Sequence, residues 1–141
     1  MDLDRALAFV ADHQRGVLAT HKRDGRPQLS NIVYALGDDG IVRISVTDDR
    51  AKTANLRRDP RASLHVSRDD FWAYVVLEAD VELSSVTVEP GDATGQELAG
   101  LYRAVAGEHD DWDDYFAAMV RDRRLVVRLA PTRAYGMLGG G

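Results

Sequence analysis

Cysteine is absent from this chain of 141 residues, which removes disulfides, thiolate nucleophiles and Cys-ligated zinc or iron–sulfur centres. Lysine is nearly absent: Lys22 and Lys52 stand alone, and arginine carries the remaining positive charge. No apolar run approaches the roughly 20 residues that cross a bilayer. The opening Met1-Asp2-Leu3-Asp4-Arg5 lacks the basic flank and apolar stretch of a secretory signal. A cytoplasmic location without a membrane partner is the expectation. An excess of basic charge is also missing. A formal net charge of −5 is wrong for a surface that must displace counterions from nucleic acid, so no nucleic-acid partner is expected. No Gly-x-Gly-x-x-Gly turn, P-loop or Gly-x-Ser-x-Gly elbow occurs, which leaves dinucleotide-fold binding, nucleotide hydrolysis and triad hydrolysis without a motif.

What is present is a globular composition, 45% hydrophobic and 29% charged, of a length that suits a single domain over residues 1–141. Leu3, Ala6, Leu7 and Val10 form one stripe of a short helix from Asp2 to His13. Gly16 to His21 reads as a strand, and Asp24-Gly25 as the turn of a hairpin. The chain returns as Gln28 to Leu36, turns at Asp38-Asp39-Gly40 and continues as Ile41 to Thr47, which predicts a three-stranded meander. A helix from Ala51 to Arg58 stops at Asp59-Pro60. Strands follow at Arg61 to Ser67 and Trp72 to Leu83, then helices at Thr94 to Val105 and from Trp112 to about Asp122. Leu125 to Leu129 closes the pattern, with a further strand at Arg133 to Leu138. Six or seven strands with about four short helices define a mainly β protein, a small antiparallel barrel with helices at its margins.

The long strand from Trp72 carries two faces. Ala73, Val75, Leu77, Ala79, Val81 and Leu83 are apolar throughout, whereas the other face changes from Trp72, Tyr74 and Val76 to Glu78, Asp80 and Glu82. Its apolar half needs a cover, either a helix of this chain or a second subunit. A chain this short has few spare elements, which favours the subunit.

Three groups of residues are candidates for chemistry. Arg50 and Lys52 stand where the helix after Thr47-Asp48-Asp49 begins, the end that disfavours cations and favours anions. Either they help free backbone N–H groups hold a phosphate, or Asp48 and Asp49 neutralise them in a solvated loop. Gln28, Ser30 and Asn31, with Ser45 on a neighbouring strand, are either a polar fringe for a heteroaromatic ring or a strand end facing water. Trp72 and Tyr74 either stack on a ligand or fill a core or interface. The cluster Gly107-Glu108-His109-Asp110-Asp111-Trp112-Asp113-Asp114 matches no calcium loop or zinc pair. Asp111 as a helix cap, followed by acids in the first turn, accounts for it without a metal.

Four segments together resemble a known family: Gly16-Val17-Leu18-Ala19-Thr20, Asp24 to Asn31, Arg50-Ala51-Lys52-Thr53 through Asp59-Pro60-Arg61-Ala62, and Ala106-Gly107-Glu108-His109. They are similar to the flavin and deazaflavin oxidoreductases of the split β-barrel type, relatives of pyridoxamine 5′-phosphate oxidase, and within them to the actinobacterial subgroup that uses the deazaflavin coenzyme F420. The resemblance implies a homodimer with two coenzyme sites lined by both subunits, and a small-molecule acceptor as substrate. It implies that Arg50, Ala51, Lys52 and Thr53 hold the coenzyme phosphate, and that Gln28, Ser30, Asn31, Ser45 and Val46 line the tricyclic ring. Trp72 and Tyr74 are implied to reach the coenzyme, or its acidic tail, from the partner subunit. The implied reaction is hydride transfer from reduced F420 to a small conjugated acceptor, with no side chain marked as proton donor. Flavin mononucleotide (FMN) members often carry Ser-Arg-Lys at the phosphate and Arg-Gln in the long strand. This chain has Arg50-Ala51-Lys52 and Ala73-Tyr74 there, which disfavours an FMN-dependent oxidase or reductase. A non-catalytic F420-binding protein is a third reading.

Overall fold

The computed structural model describes residues 1–139. Its elements run α1 (Leu3–Ala11), β1 (Arg15–His21), β2 (Pro27–Val33), β3 (Ala35–Leu36), β4 (Val42–Thr47), α2 (Ala51–Arg58), β5 (Arg61–Ser67), β6 (Tyr74–Leu83), α3 (Ala93–Ala106), α4 (Trp112–Arg121) and β7 (Arg124–Met137). The strands form one antiparallel sheet in the order β2-β1-β5-β6-β7-β4-β3. The mainly β, antiparallel fold expected from the sequence is therefore present, as a curled half-barrel of seven strands with four helices among the described residues.

Two local expectations need correction. The predicted meander is two separate hairpins. β1 and β2 join through the turn at Gly25, β3 and β4 through the turn at Gly40, and both glycines take the positive φ those turns require. The run Gln28 to Leu36 breaks at Tyr34, sending β2 and β3 to opposite ends of the sheet. Tyr34 is fully buried; its hydroxyl donates to the Val10 carbonyl (2.6 Å) and its amide to the Gln14 carbonyl (2.9 Å), which ties the break to α1. The second correction concerns the end of the chain: the two closing strands are one long strand, β7. Its register against β6 slips once, where Ala79 faces Pro131 and Glu78 faces Arg133, leaving Thr132 as the extra residue of a bulge.

The main core fills the inside of the curl. Leu18, Ile44, Val46, Leu64, Val75, Leu77, Leu125 and Val127 meet there, closed by Ala6 and Val10 of α1 and Leu56 of α2. Outside, α3 and α4 cover one part of the sheet around Val126, through Leu98, Ala99 and Tyr115. Glu97 locks α3 to that surface, accepting from Arg43 of β4 (3.0 Å) and Arg128 of β7 (2.8 Å). The rest of the outer face is bare. A row of cross-strand neighbours, Asn31–Val17–His65–Val76–Tyr135, crosses five strands with no helix among the described residues over it, and only Val76 within the row is buried. Leu29, Val33 and Met137 extend it and are about half exposed or more.

Candidate functional site

The two ends of the curled sheet approach each other, and the gap between them is the site. Asn31, Ile32 and Val33 of β2 form one wall of a cavity of about 560 Å³, and Ile44 and Ser45 of β4 form another. Leu98, Leu101, Tyr102 and Val105 of α3, with Tyr115 and Met119 of α4, complete an apolar lining. Into this lining project a few polar groups: Asn31, Ser45, Lys52, His109, Asp114 and Arg124. Mostly apolar walls with sparse polar groups suit a small organic ligand.

A second, more polar cavity of about 650 Å³ adjoins it, bounded by Thr47, Asp49, Arg50 and Ala51 on one side and by Arg121 to Arg124 on the other. Arg124 lines both cavities. Alternation along β4 and β7 explains the arrangement. Val46 and Leu125 point into the core, so Ser45, Thr47 and Arg124 point out. The Arg124 guanidinium donates to Ser45 Oγ (3.3 Å), while its Nε is occluded and has no acceptor among the described residues.

The acids that might have neutralised Arg50 and Lys52 are committed elsewhere. Asp48 accepts from Arg57 and from Arg123 (2.9 Å), and Asp49 accepts from the Thr47 hydroxyl (2.6 Å). Among the described residues Arg50, Lys52 and Arg124 form no ion pair. Partial burial, reinforced by the charges of Arg50 and Arg124, holds the Lys52 ammonium below its ordinary pKa. The helix itself adds to this field. Arg50 is the N-cap of α2 and offers no side-chain acceptor, and the first turn holds no acid, so the amides of Ala51 and Lys52 lack acceptors.

Thr53 is buried under the turn, its hydroxyl donating to the Thr47 carbonyl (2.9 Å). Gln28 turns toward α2, where its carbonyl oxygen accepts from Asn55 Nδ2 (2.7 Å); Asn55 also donates to Thr20 and accepts from Arg58. Ser30 lies on the same side of β2 as Gln28, facing Leu18 of β1. Val46 is buried in the core. The cavities thus bring together Asn31, Ser45, Arg50, Ala51 and Lys52, while Gln28, Ser30, Thr53 and Val46 sit behind them. Trp72 and Tyr74 are elsewhere, at the bare outer face. Trp72 precedes β6, in a turn where its amide donates to Asp70, and it is 76% exposed. Tyr74 stacks on His65, centroids 5.4 Å apart.

Sequence reasoning missed Arg124 and the contribution of α3 and α4. Arg124 was legible as the last cation of Arg121-Asp122-Arg123-Arg124 before an apolar strand, a run that places positive charge where that strand begins. Tyr102 and Tyr115 gave no signal beyond helix packing, and His109 stood out only within the Gly107 to Asp114 cluster and the Ala106 to His109 segment, neither of which pointed to the cavity.

A curled antiparallel sheet with a ligand-sized cleft between its parted ends is a split barrel. Residues 3–138 match the family described as pyridoxamine 5′-phosphate oxidase, and the chain belongs to that family. Among solved structures it is similar to a conserved hypothetical protein from Mycobacterium tuberculosis, with 26% identity and a TM-score of 0.75 over 98% of this chain and 85% of that one. It is also similar to an F420 reductase, with 25% identity and a TM-score of 0.64 over 86% of this chain and 89% of that one. A heme-binding protein from Mycobacterium smegmatis shares 26% identity with a TM-score of 0.71; the match covers 99% of this chain and 55% of that larger one.

Proposed function

We propose that the protein is an F420-dependent oxidoreductase that reduces a small conjugated acceptor. The observation that carries this reading is the trio Arg50, Lys52 and Arg124, cations without carboxylate partners beside an uncapped helix start. The occluded Nε of Arg124 tests the fit independently: a buried guanidinium N–H without an acceptor is costly, and a phosphate oxygen supplies one. The adjoining apolar cavity has the size and lining for a flat ring system, with Asn31 and Ser45 able to hydrogen-bond its edge. A bound reduced 5-deazaflavin would supply hydride, because it has carbon where a flavin has its reactive nitrogen. The chain's own part is to grip the phosphate with Arg50, Lys52, Arg124 and the leading amides of α2, and to keep water away with the α3 and α4 side chains.

The proposal includes a homodimer. The bare row from Asn31 to Tyr135 is the kind of surface a second copy covers. Asn31, Ile32 and Val33 also line a smaller cavity on that face, next to His65. A subunit seated there carries its Trp72 and Tyr74 toward the cleft of the other. Trp72→Ala then lowers both the dimer fraction in analytical ultracentrifugation and the coenzyme affinity; an intact dimer with unaltered binding removes Trp72 from the site.

The deciding experiment is a fluorescence titration of the pure protein with oxidised F420, FMN and flavin adenine dinucleotide. F420 binding most tightly supports the reading. FMN in first place converts it to a flavin-dependent oxidase or reductase on the same fold. Tight F420 binding without turnover across conjugated acceptors makes the protein a coenzyme binder.

A further inference from the structure

His109 is held in the apolar cavity in a way that helix packing does not require. It lies between α3 and α4, in the segment that leads to the Asp111 cap. Its Nδ1 accepts the backbone N–H of Asp111 (2.9 Å). A ring nitrogen that accepts an amide proton carries none of its own, so the proton of the neutral ring is on Nε2. Nε2 makes no hydrogen bond to the described residues, yet it is not among their occluded polar atoms, so it stays open to an incoming group. Three aromatic rings fix the imidazole: Tyr102 at 5.1 Å, Tyr115 at 5.4 Å and Trp112 at 5.6 Å between centroids. Tyr115 is anchored in turn, its hydroxyl donating to the Leu98 carbonyl (3.0 Å). Burial pushes that hydroxyl up to about pKa 12, so it stays protonated and committed to this bond.

On the side of the cavity formed by α3 and α4 the lining therefore presents one oriented neutral donor amid aromatic and aliphatic walls, with the Asp114 carboxylate beside it to disfavour an anionic guest. The cations are grouped at the other side, near β4 and the start of α2. A neutral N–H in an apolar slot selects an uncharged acceptor atom, and flat rings around it select a flat molecule. We infer that His109 is the specificity-determining donor for the substrate: its Nε2–H receives the carbonyl oxygen of an uncharged, flat conjugated ketone in the slot beside Tyr102 and Tyr115. This rests on the reading of the cleft as the seat of the reaction, with the coenzyme ring along Asn31 and Ser45 and the acceptor on the α3 and α4 side, but not on which coenzyme is used. In the reaction class proposed above, hydride adds to the conjugated carbon and the electron pair moves onto that oxygen. His109 then holds the developing negative charge through the same hydrogen bond, and solvent delivers the final proton.

The test uses binding without coenzyme. The probes are 1-tetralone, an aryl ketone, and tetralin, the same skeleton without the oxygen, titrated calorimetrically into the wild-type protein, His109→Phe and His109→Gln. His109→Phe keeps the aromatic packing and removes the donor; His109→Gln restores an N–H. The expected result is that His109→Phe weakens tetralone binding about fivefold, the worth of one neutral hydrogen bond, and leaves tetralin unchanged, while His109→Gln recovers most of the loss. Equal weakening of both probes means that the ring only packs, and overturns the inference. So does the absence of tetralone binding to the wild-type protein, or a Gln variant no better than Phe. A protein that binds tetralone as expected but ignores F420 refutes the coenzyme reading alone.

Discussion

The starts of α3 and α2 are built in opposite ways. At α3 the Asp92 carboxylate is the N-cap and accepts four hydrogen bonds, from the Thr87 hydroxyl (2.7 Å) and the amides of Val88 (2.9 Å), Glu89 (3.3 Å) and Gly95 (2.8 Å). Asp2 and Asp111 cap α1 and α4 in the same manner. At α2 the equivalent position is Arg50, with no side-chain cap and no acid in the first turn. Three helix ends satisfy themselves with the carboxylate that helix electrostatics favours. The fourth withholds it and adds cations, a local sacrifice of stability that makes sense when the missing anion arrives with a ligand.

Substitutions can break this contrast from either side. The largest effect is expected at α2: Lys52→Ala removes a charge-assisted phosphate contact and weakens F420 binding by about 1.5–3 kcal/mol, tenfold or more. Its melting temperature stays near wild type, since no carboxylate is left unpaired. Unchanged affinity in the fluorescence titration would sink the phosphate role. Next comes Asp92→Ala at α3, which removes a cap and strands its donors, at a cost of about 1–2 kcal/mol in urea unfolding with coenzyme affinity preserved.

The same carboxylate predicts a pH dependence. Burial alone would raise its pKa, but the Thr87 hydroxyl and the three amides bring it down to about 2. A folded pKa below the unfolded value, near 3.9, means that the contribution is complete above about pH 4. It is lost as the pH falls toward 2. The acid limb of the stability curve should flatten in Asp92→Asn; an identical limb would show that Asp92 does not shape it. The smallest effect sharpens the contrast directly. Arg50→Ser gives α2 the cap it lacks, and is expected to stabilise the ligand-free protein by roughly 0.5–1 kcal/mol while weakening F420. A variant with gains in neither stability nor affinity loss would show that the N-cap position is indifferent.

Much of the fold was legible because local signals and tertiary structure agree. Pro60 after Asp59 ends α2 where expected, Asp111 caps α4, and the apolar face of β6 is the buried one. Tyr34 shows where legibility stops. Ile32-Val33-Tyr34-Ala35-Leu36 contains no Gly or Pro to announce a break, and the break depends on hydrogen bonds to Val10 of α1 and to Gln14, twenty or more residues earlier. Trp72 leaves the strand for a similar reason: Asp70 captures its amide and Phe71 takes a positive φ, choices that an aromatic-rich stretch does not advertise. At the site, Arg50 and Lys52 could be singled out because cations at a helix start are anomalous. Arg124 reaches them only through β4–β7 pairing, and His109 enters the cavity only because α3 and α4 fold over Val126.

The shared carboxylate of Glu97 has a consequence for the shape of the cleft. Two guanidiniums on adjacent strands grip it, so α3 cannot slide along the sheet without losing both at once. Among the described residues helix α4 has no such ionic rivet: the ion pair that involves it joins neighbouring residues, Arg121 and Asp122, and it is held by aromatic and aliphatic packing and by the Tyr115 hydroxyl on the Leu98 carbonyl. One jaw of the cleft is therefore riveted to the sheet by charge, while the other is seated by packing and a single hydrogen bond, an unequal mounting for the two helices that wall the cavity.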